Sequence, residues 1–283
     1  MSNTAGTPEQ RWALAEVAQR AAAKAAAYIK SHRPAQVEHK EGGGDYLASQ
    51  VVTEVDRQAE AIILEAMGPA LEGFGLLTEE RPDDGSRLRA PAFWCIDPLD
   101  GTLAYIRNQR GPAVSIALVG RDGVPLVGVI HDVVSGQRAQ AVLDGGLVVD
   151  DEEWWPWTRS GVKQVFGDHS FDYNPAYRKI AEAMGTASVH VGQAAVVNAW
   201  SALIFPPAVY FKLPRKGRGG GSLWDYAATA CCYREVGAVA TTFAGEPLPL
   251  NRPDTTFLGD CGVMFASDEV VADQVRAVAA DLV

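Results

Sequence analysis

The chain has 283 residues, with 25 Lys plus Arg against 35 Asp plus Glu and a formal net charge of −10. Apolar residues make up 47% and charged residues 21%, a balance that excludes disorder, collagen and coiled coil and predicts a large core shared between two halves. The acidic surplus argues against a nucleic-acid polymer or an anionic membrane as partner, because phosphate-backbone binding rests on clustered Lys and Arg; a small phosphorylated ligand is compatible if metal ions bring the positive charge.

Met1 to Gly6 has neither a basic nor an apolar leader segment, and no apolar run nears the roughly 20 residues of a membrane span, so the cytoplasm is the expected compartment. Thr7, Pro8 and Gln10 form the start signal of a first helix with Leu14, Ala18, Ala21, Ala25 and Tyr28 on one face, ended before Pro34. Glu38 to Ser49, with Gly42-Gly43-Gly44, is expected to be a loop or hairpin tip. A second helix starts near Thr53, its apolar face made of Val55, Ala59, Ile62, Ile63 and Ala66. After the charged loop Arg81 to Ala90, the apolar β-prone run Ala92 to Ile96 ends on Asp97. Val114 to Val119 and Val124 to Ile130 flank the turn Arg121-Asp122-Gly123, and a third strand near Gln137 to Leu143 completes a largely antiparallel sheet.

From about Trp155 strands alternate with helices. Strands are expected at Val165, Val189, Val209 to Lys212, Val239 and Val263, and helices at Pro175 to Met184, Ala194 to Leu203 and Trp224 to Val236, with a last helix capped by Ser267. The predicted class is α/β, in α+β-like layers, with an N-terminal subdomain over 1–155 and a C-terminal α/β subdomain over 156–283. Cys95, Cys231, Cys232 and Cys261 have neither disulfide-scaffold density nor paired metal spacing, and Cys231-Cys232 is expected in the core. His32, His39, His131, His169 and His190 follow no motif and are expected to be structural or solvent-exposed.

The stretch Asp97-Pro98-Leu99-Asp100-Gly101-Thr102 is the most informative. A strand ending in two carboxylates three residues apart, bent by Pro98 and freed by Gly101, can aim both side chains and a backbone carbonyl at one point. That donor set suits a hard cation such as Mg²⁺, and the amides of Gly101 and Thr102 can meet a phosphate oxygen if they open a short helix. Taken alone the stretch is equally an Asp-rich turn, Thr53-x-x-Asp56 a capping box, Glu79-Glu80 a solvated pair and Asp225 a helix cap.

In this order, these residues resemble the signature of the inositol monophosphatase superfamily, the lithium-sensitive, Mg²⁺-dependent phosphatases that include 3′(2′),5′-bisphosphate nucleotidases and fructose-1,6-bisphosphatases. The resemblance implies alternating helix and sheet layers in two subdomains. It implies that Glu79, Asp97 and the Leu99 carbonyl hold one Mg²⁺, that Asp97, Asp100 and Asp225 hold a second, and that a third, weaker ion touches the first Glu. Thr102 would orient the attacking water, Asp56 or Glu79 would accept its proton, and the Gly101 and Thr102 amides would grip phosphate. Where relatives carry an acid, this chain has Gln50, which bears on the third ion; where they carry Gly, it has Thr78. Thr102 to Ile106, Leu99 and Thr241 to Leu248 lean toward the bisphosphate nucleotidase branch, acting on adenosine 3′,5′-bisphosphate. The alternatives are an inositol-1-monophosphatase or sugar phosphatase, and a non-catalytic phosphate-ligand binding protein.

A basic, Gly-rich loop, Lys212 to Ser222, precedes Asp225, and its Lys212 and Arg215 are candidates for a second phosphate; the competing view is a solvated surface loop. Tyr105 or Tyr226 is a candidate stacking surface for a substrate aromatic group. The cluster Trp154 to Trp157 is read as core or an oligomer contact, and a homodimer is expected because some relatives form dimers.

Overall fold

The computed structural model describes residues 6–33, 37–39, 51–107, 111–155, 163–186, 188–217 and 219–280. Helix α1 (Pro8–Ser31) starts on the expected capping box, in which the Thr7 amide donates to the Gln10 side chain at 2.9 Å. Strands β1 (Val37–His39) and β2 (Val51–Thr53) pair antiparallel. The Gly42 to Ser49 stretch, and Gln50, lie outside the described residues. Helix α2 (Glu54–Met67) begins on the Thr53/Asp56 capping box and is followed by a 3-10 turn at Gly68–Leu71.

Next come β3 (Gly75–Thr78), the short α3 (Ser86–Arg89), β4 (Ala92–Asp100) and the short α4 (Thr102–Ile106). A meander follows: β5 (Ala113–Gly120), β6 (Pro125–Asp132), β7 (Arg138–Val142), β8 (Gly146–Val149) and β9 (Glu152–Glu153). Among the described residues, β3 to β9 form one seven-stranded sheet in sequence order. It is antiparallel except for the parallel β3–β4 pair, as the hairpin signals predict.

The second half contains β10 (Gln164–Gly167), α5 (Ser170–Tyr173), α6 (Pro175–Ala183), β11 (Ser188–Val191), α7 (Ala195–Ile204) and β12 (Ala208–Lys212). It ends with α8 (Leu223–Glu235), β13 (Val239–Thr241), β14 (Val263–Ala266) and α9 (Glu269–Ala280). Its sheet has the order β11-β10-β12-β14-β13, with β10, β11 and β12 parallel and β14 antiparallel to both neighbours. Ser267 is not the cap of α9: the Asp268 carboxylate accepts the Val271 amide at 2.9 Å, and the Ser267 hydroxyl donates to Asp268. Asp takes the role because its oxygen reaches the first-turn donors two and three residues on.

The period of two in β4 sorts its side chains between two cores. Trp94 and Ile96 pack with the Ala-rich face of α1 and with Val55, Ala59 and Ile63 of α2, while Phe93 and Cys95 point to the opposite face, where α7 and α8 lie. Those two helices also meet Phe166, Tyr210 and Phe265 of the second sheet, whose far face holds Val209, Phe211 and Met264 against α6 and α9. The order of layers is therefore α1/α2, sheet, α7/α8, sheet, α6/α9. Each fully buried Phe or Ile in these layers contributes about 2 kcal/mol of apolar burial. Cys231 and Cys232 are fully buried in the middle layer, as expected. Gly128 sets how close α8 approaches: a Cβ there would lie 2.4 Å from the Ala228 carbonyl oxygen. That contact fixes the height of α8, and with it Asp225.

Candidate active site

Strand β4 carries its last residues out of regular pairing. Its register against β5 shifts between Asp97 and Asp100, where Pro98 has no N–H to give the ladder. The Leu99 amide turns back to donate to Asp97 Oδ1 at 3.0 Å. Asp100 Oδ2 accepts the Val196 amide at 2.7 Å, in the first turn of α7. Gly101 then adopts φ 90°, and a Cβ there would lie 2.6 Å from the Ala194 Cβ, so the turn into α4 needs glycine. Asp225 comes from the other half, in the first turn of α8, where its Oδ2 accepts the Ser222 amide at 2.8 Å.

Carboxylate oxygens of Asp97, Asp100 and Asp225 lie within 4.8 Å of one another. Glu79 joins them: its amide donates to the Ile96 carbonyl at 3.1 Å, and its carboxyl is near enough to raise that of Asp97. Burial, then the charges of Glu79, Asp100 and Asp225, push the Asp97 carboxyl well above the ordinary range. Asp100 is raised by burial and by Asp225, against the Val196 amide. Asp225 is pushed up to about 6 by burial and by Glu79, against the Ser222 amide and Lys212. Asp97, Asp100 and Asp225, all raised in a buried pocket beside Glu79, need a counter-cation to be ionised together at neutral pH, and an all-oxygen set fits a hard divalent ion.

Beside this cluster, Asp56 is both cap and hydrogen-bond acceptor. Its Oδ2 accepts the Thr53 amide at 2.9 Å and the Thr53 hydroxyl at 2.6 Å, while Oδ1 accepts the Thr102 hydroxyl at 2.7 Å. Burial raises the Asp56 carboxyl, although the bonds from Thr53 and Thr102 pull the other way. Since the Thr102 hydroxyl has one hydrogen and its shortest acceptor is Asp56, its lone pairs are left to face the cavity.

That cavity, of about 950 Å³, is lined by Glu79, Asp97, Asp100, Asp225, Leu99 and Thr102 and walled by Arg107, Lys212 and Arg215. The basic loop divides: Lys212 and Arg215 line the cavity, Lys216 is exposed, and Arg218 lies outside the described residues. Lys212 Nζ pairs with Asp168 at 2.8 Å. Burial works against both charges, yet their attraction keeps Lys212 well above its ordinary range and, with the Ser170 hydroxyl and amide, holds Asp168 down to about 2.

The structure thus gathers Asp56, Glu79, Asp97, Leu99, Asp100, Gly101, Thr102, Lys212, Arg215 and Asp225 around one space, with Asp56 beneath Thr102. It does not offer the stacking tyrosines. Tyr105 is buried and donates to the His32 carbonyl at 2.5 Å, at the end of α1, and Tyr226 is fully buried with its hydroxyl on the Gly220 carbonyl at 3.2 Å. The exposed aromatic at the rim is Tyr173, near His169, which hydrogen-bonds Asp172 at 3.1 Å. Sequence reasoning missed Asp168 and the Val196 amide, because neither belongs to a local motif; only pairing across elements reveals them. Trp154 packs toward Trp200 with ring centroids 6.4 Å apart, Trp155 is exposed, and Trp157 lies outside the described residues. Among the described residues, no helix is long and apolar enough to cross a membrane.

Five alternating layers bring carboxylates from a strand end and a helix start together into a site suited to a hard divalent cation. The chain belongs to the inositol monophosphatase family, whose model matches residues 11–280, and it is accordingly an enzyme of phosphate-monoester hydrolysis. It is similar to the inositol-1-monophosphatase of Bacillus subtilis, 25% identical over 238 residues that cover 81% of this chain and 84% of that one. It is similar to the Nus factor SuhB of Xylella fastidiosa, 29% identical with 70% of each chain covered. Its fold is similar to that of the extragenic suppressor protein SuhB of Bartonella henselae, with a TM-score of 0.74 at 21% identity, covering 94% of this chain and 98% of that one.

Proposed function

We propose that the protein is a Mg²⁺-dependent phosphatase of a small phosphate monoester of the inositol or sugar phosphate class. The observation that carries this reading is the convergence of Asp97, Asp100 and Asp225 within 4.8 Å on the wall of an open cavity. Glu79, Asp97 and the Leu99 carbonyl would hold one cation, and Asp97, Asp100 and Asp225 a second. A divalent cation bound there would polarise the phosphoryl oxygens and make water more acidic.

The chain's own groups supply the rest. Thr102 Oγ1, its proton committed to Asp56, accepts a hydrogen from the attacking water and fixes its direction. Asp56, raised by burial, is the base at the end of that path, with Glu79 the other acid able to take the proton. The Gly101 and Thr102 amides at the start of α4 meet a phosphate oxygen. Water oxygen bonds to phosphorus, the ester P–O bond breaks, and the leaving alkoxide takes a proton from solvent; no phosphoenzyme is required.

The names of the relatives support an inositol phosphate better than the bisphosphate nucleotide toward which the 102–106 and 241–248 segments lean. The second reading keeps one observation in its favour. Arg107 and Arg215 line the cavity wall beside the Lys212–Asp168 pair, where guanidinium groups suit a second phosphate. Phosphate release from inositol 1-phosphate, fructose 1,6-bisphosphate, adenosine 3′,5′-bisphosphate and adenosine monophosphate, in Mg²⁺ and in EDTA, decides between them. Preference for inositol or sugar phosphate supports the first reading, preference for the nucleotide bisphosphate the second, and no Mg²⁺-dependent release refutes both. In the active assay, Asp97→Asn is expected to lower kcat about a thousandfold, the rate equivalent of several kcal/mol, without unfolding the chain. Full activity of that variant would refute the site.

A further inference from the structure

One buried acid near the site has no part in the steps above. Glu60 lies on α2 four residues after Asp56, hence on the same helix face, and is 4% exposed. Both of its oxygens are occupied. Oε2 accepts the hydroxyl of Thr78, the last residue of β3, and Oε1 accepts Arg81 Nε at 2.5 Å. These two partners bracket Glu79-Glu80 in the chain.

The backbone at this point is tied to β4 as well. Thr78 stands opposite Ile96, and the Glu79 amide donates to the Ile96 carbonyl at 3.1 Å, one residue before Asp97. The sheet therefore fixes the height of Glu79, and Glu60 fixes the chain on both sides of it. A buried carboxylate is costly unless paired, and an apolar side chain would serve packing alone. Here its hydrogen bonds go to the residues flanking a cation-binding acid.

We infer that Glu60 is a positioning residue that, through Thr78 and Arg81, holds the Glu79 carboxylate at the cation site. This rests on the proposed role of Glu79. Outer partners of metal-binding groups typically change affinity by 10–100-fold when removed. Glu60→Gln keeps the size and the acceptor for Thr78 but turns an amide N–H toward Arg81; Thr78→Val removes only the hydroxyl.

The test is titration calorimetry of the EDTA-treated full chain with Mg²⁺ alone, alongside kcat and KM for the best phosphate ester at rising Mg²⁺. Glu60→Gln is expected to weaken Mg²⁺ binding about tenfold and Thr78→Val less, in the same direction. Both recover parent kcat at saturating Mg²⁺, with KM for the ester unchanged. Mg²⁺ affinity of Glu60→Gln within twofold of the parent, while Glu79→Gln binds weakly, overturns the inference and leaves the site assignment standing. Turnover that stays low at saturating Mg²⁺ also overturns it. Parent-like Mg²⁺ affinity of Glu79→Gln removes the role of Glu79, and this inference with it. If Glu60→Gln does not fold, Thr78→Val decides, and unchanged Mg²⁺ affinity there counts against the inference.

Discussion

Removing a negative charge from the site should stabilise the metal-free protein and abolish its response to metal. Asp225 shows this most directly, because its carboxyl is pushed up to about 6 by burial and the nearby Glu79 charge, with the Ser222 amide and Lys212 opposing. A carboxyl whose folded value lies above its unfolded value near 3.8 costs nothing below pH 3.8. The cost grows between pH 3.8 and 6 and is complete above pH 6. The gap between these values corresponds to about 3 kcal/mol, and partial solvent access reduces this to about 1–2 kcal/mol. Asp225→Asn keeps an oxygen for the Ser222 amide, so the cap survives. In EDTA at pH 7.5 the variant is expected to melt a few degrees above the parent, at about 2–4 °C per kcal/mol for a chain near this size, with the difference vanishing near pH 4. In Mg²⁺ at a hundredfold excess over Kd the parent gains about 2.7 kcal/mol and the variant gains little, so the order reverses. Differential scanning calorimetry in both conditions provides the test. A chelated variant less stable than the parent at pH 7.5, or an undiminished Mg²⁺ gain, would refute the electrostatic argument.

Asp168→Asn should do the opposite, since it leaves Lys212 largely buried without its carboxylate; the side chains are 25% and 15% exposed. A loss of about 2 kcal/mol is expected, less than for a fully buried pair. Because Asp168 is held down to about 2, the pair contributes fully above pH 4 and the difference between parent and variant shrinks as pH falls toward 2. Urea unfolding at pH 7 and pH 2.5 measures this, and an equal difference at both would sink it. Gly128→Ala is expected to cost about 2–3 kcal/mol by overpacking, since its Cβ would meet Ala228 oxygen at 2.4 Å and Cys231 Cβ at 2.8 Å. An unchanged melting temperature would show that β6 and α8 part freely.

What could be read in advance was the local chemistry. The capping boxes of α1 and α2, the hairpin at Arg121-Asp122-Gly123 and the Asp97 to Thr102 stretch each spell their structure within a few residues. Helix α8 is different: buried residues surround it on most sides, so it shows little one-sided period, and its length followed from Trp224-Asp225 and Gly237 instead. Strands β8 and β9 were missed because four and two residues carry too little alternation. In the site, the acids came with motifs, but their alignment did not. The Val196 amide on Asp100, Asp168 on Lys212 and Glu60 behind Glu79 span 96, 44 and 19 positions by the residue numbers, and only the layer order brings them together. Tyr105 was misjudged because an aromatic after a phosphate-binding turn gives no sign that its hydroxyl is needed by the end of α1.

The middle helices α7 and α8 serve as a wall common to two rooms. Along them, Trp200, Tyr233 and Cys232 are buried in the core that also takes in residues of both sheets, so a change of volume there is felt by two layers. Along α1, α6 and α9 the outward half of each helix is largely exposed. Sequence drift in this molecule therefore has its freedom on the outside layers, while the interior helices that carry Asp225 and steady Asp100 are bound to keep their shape.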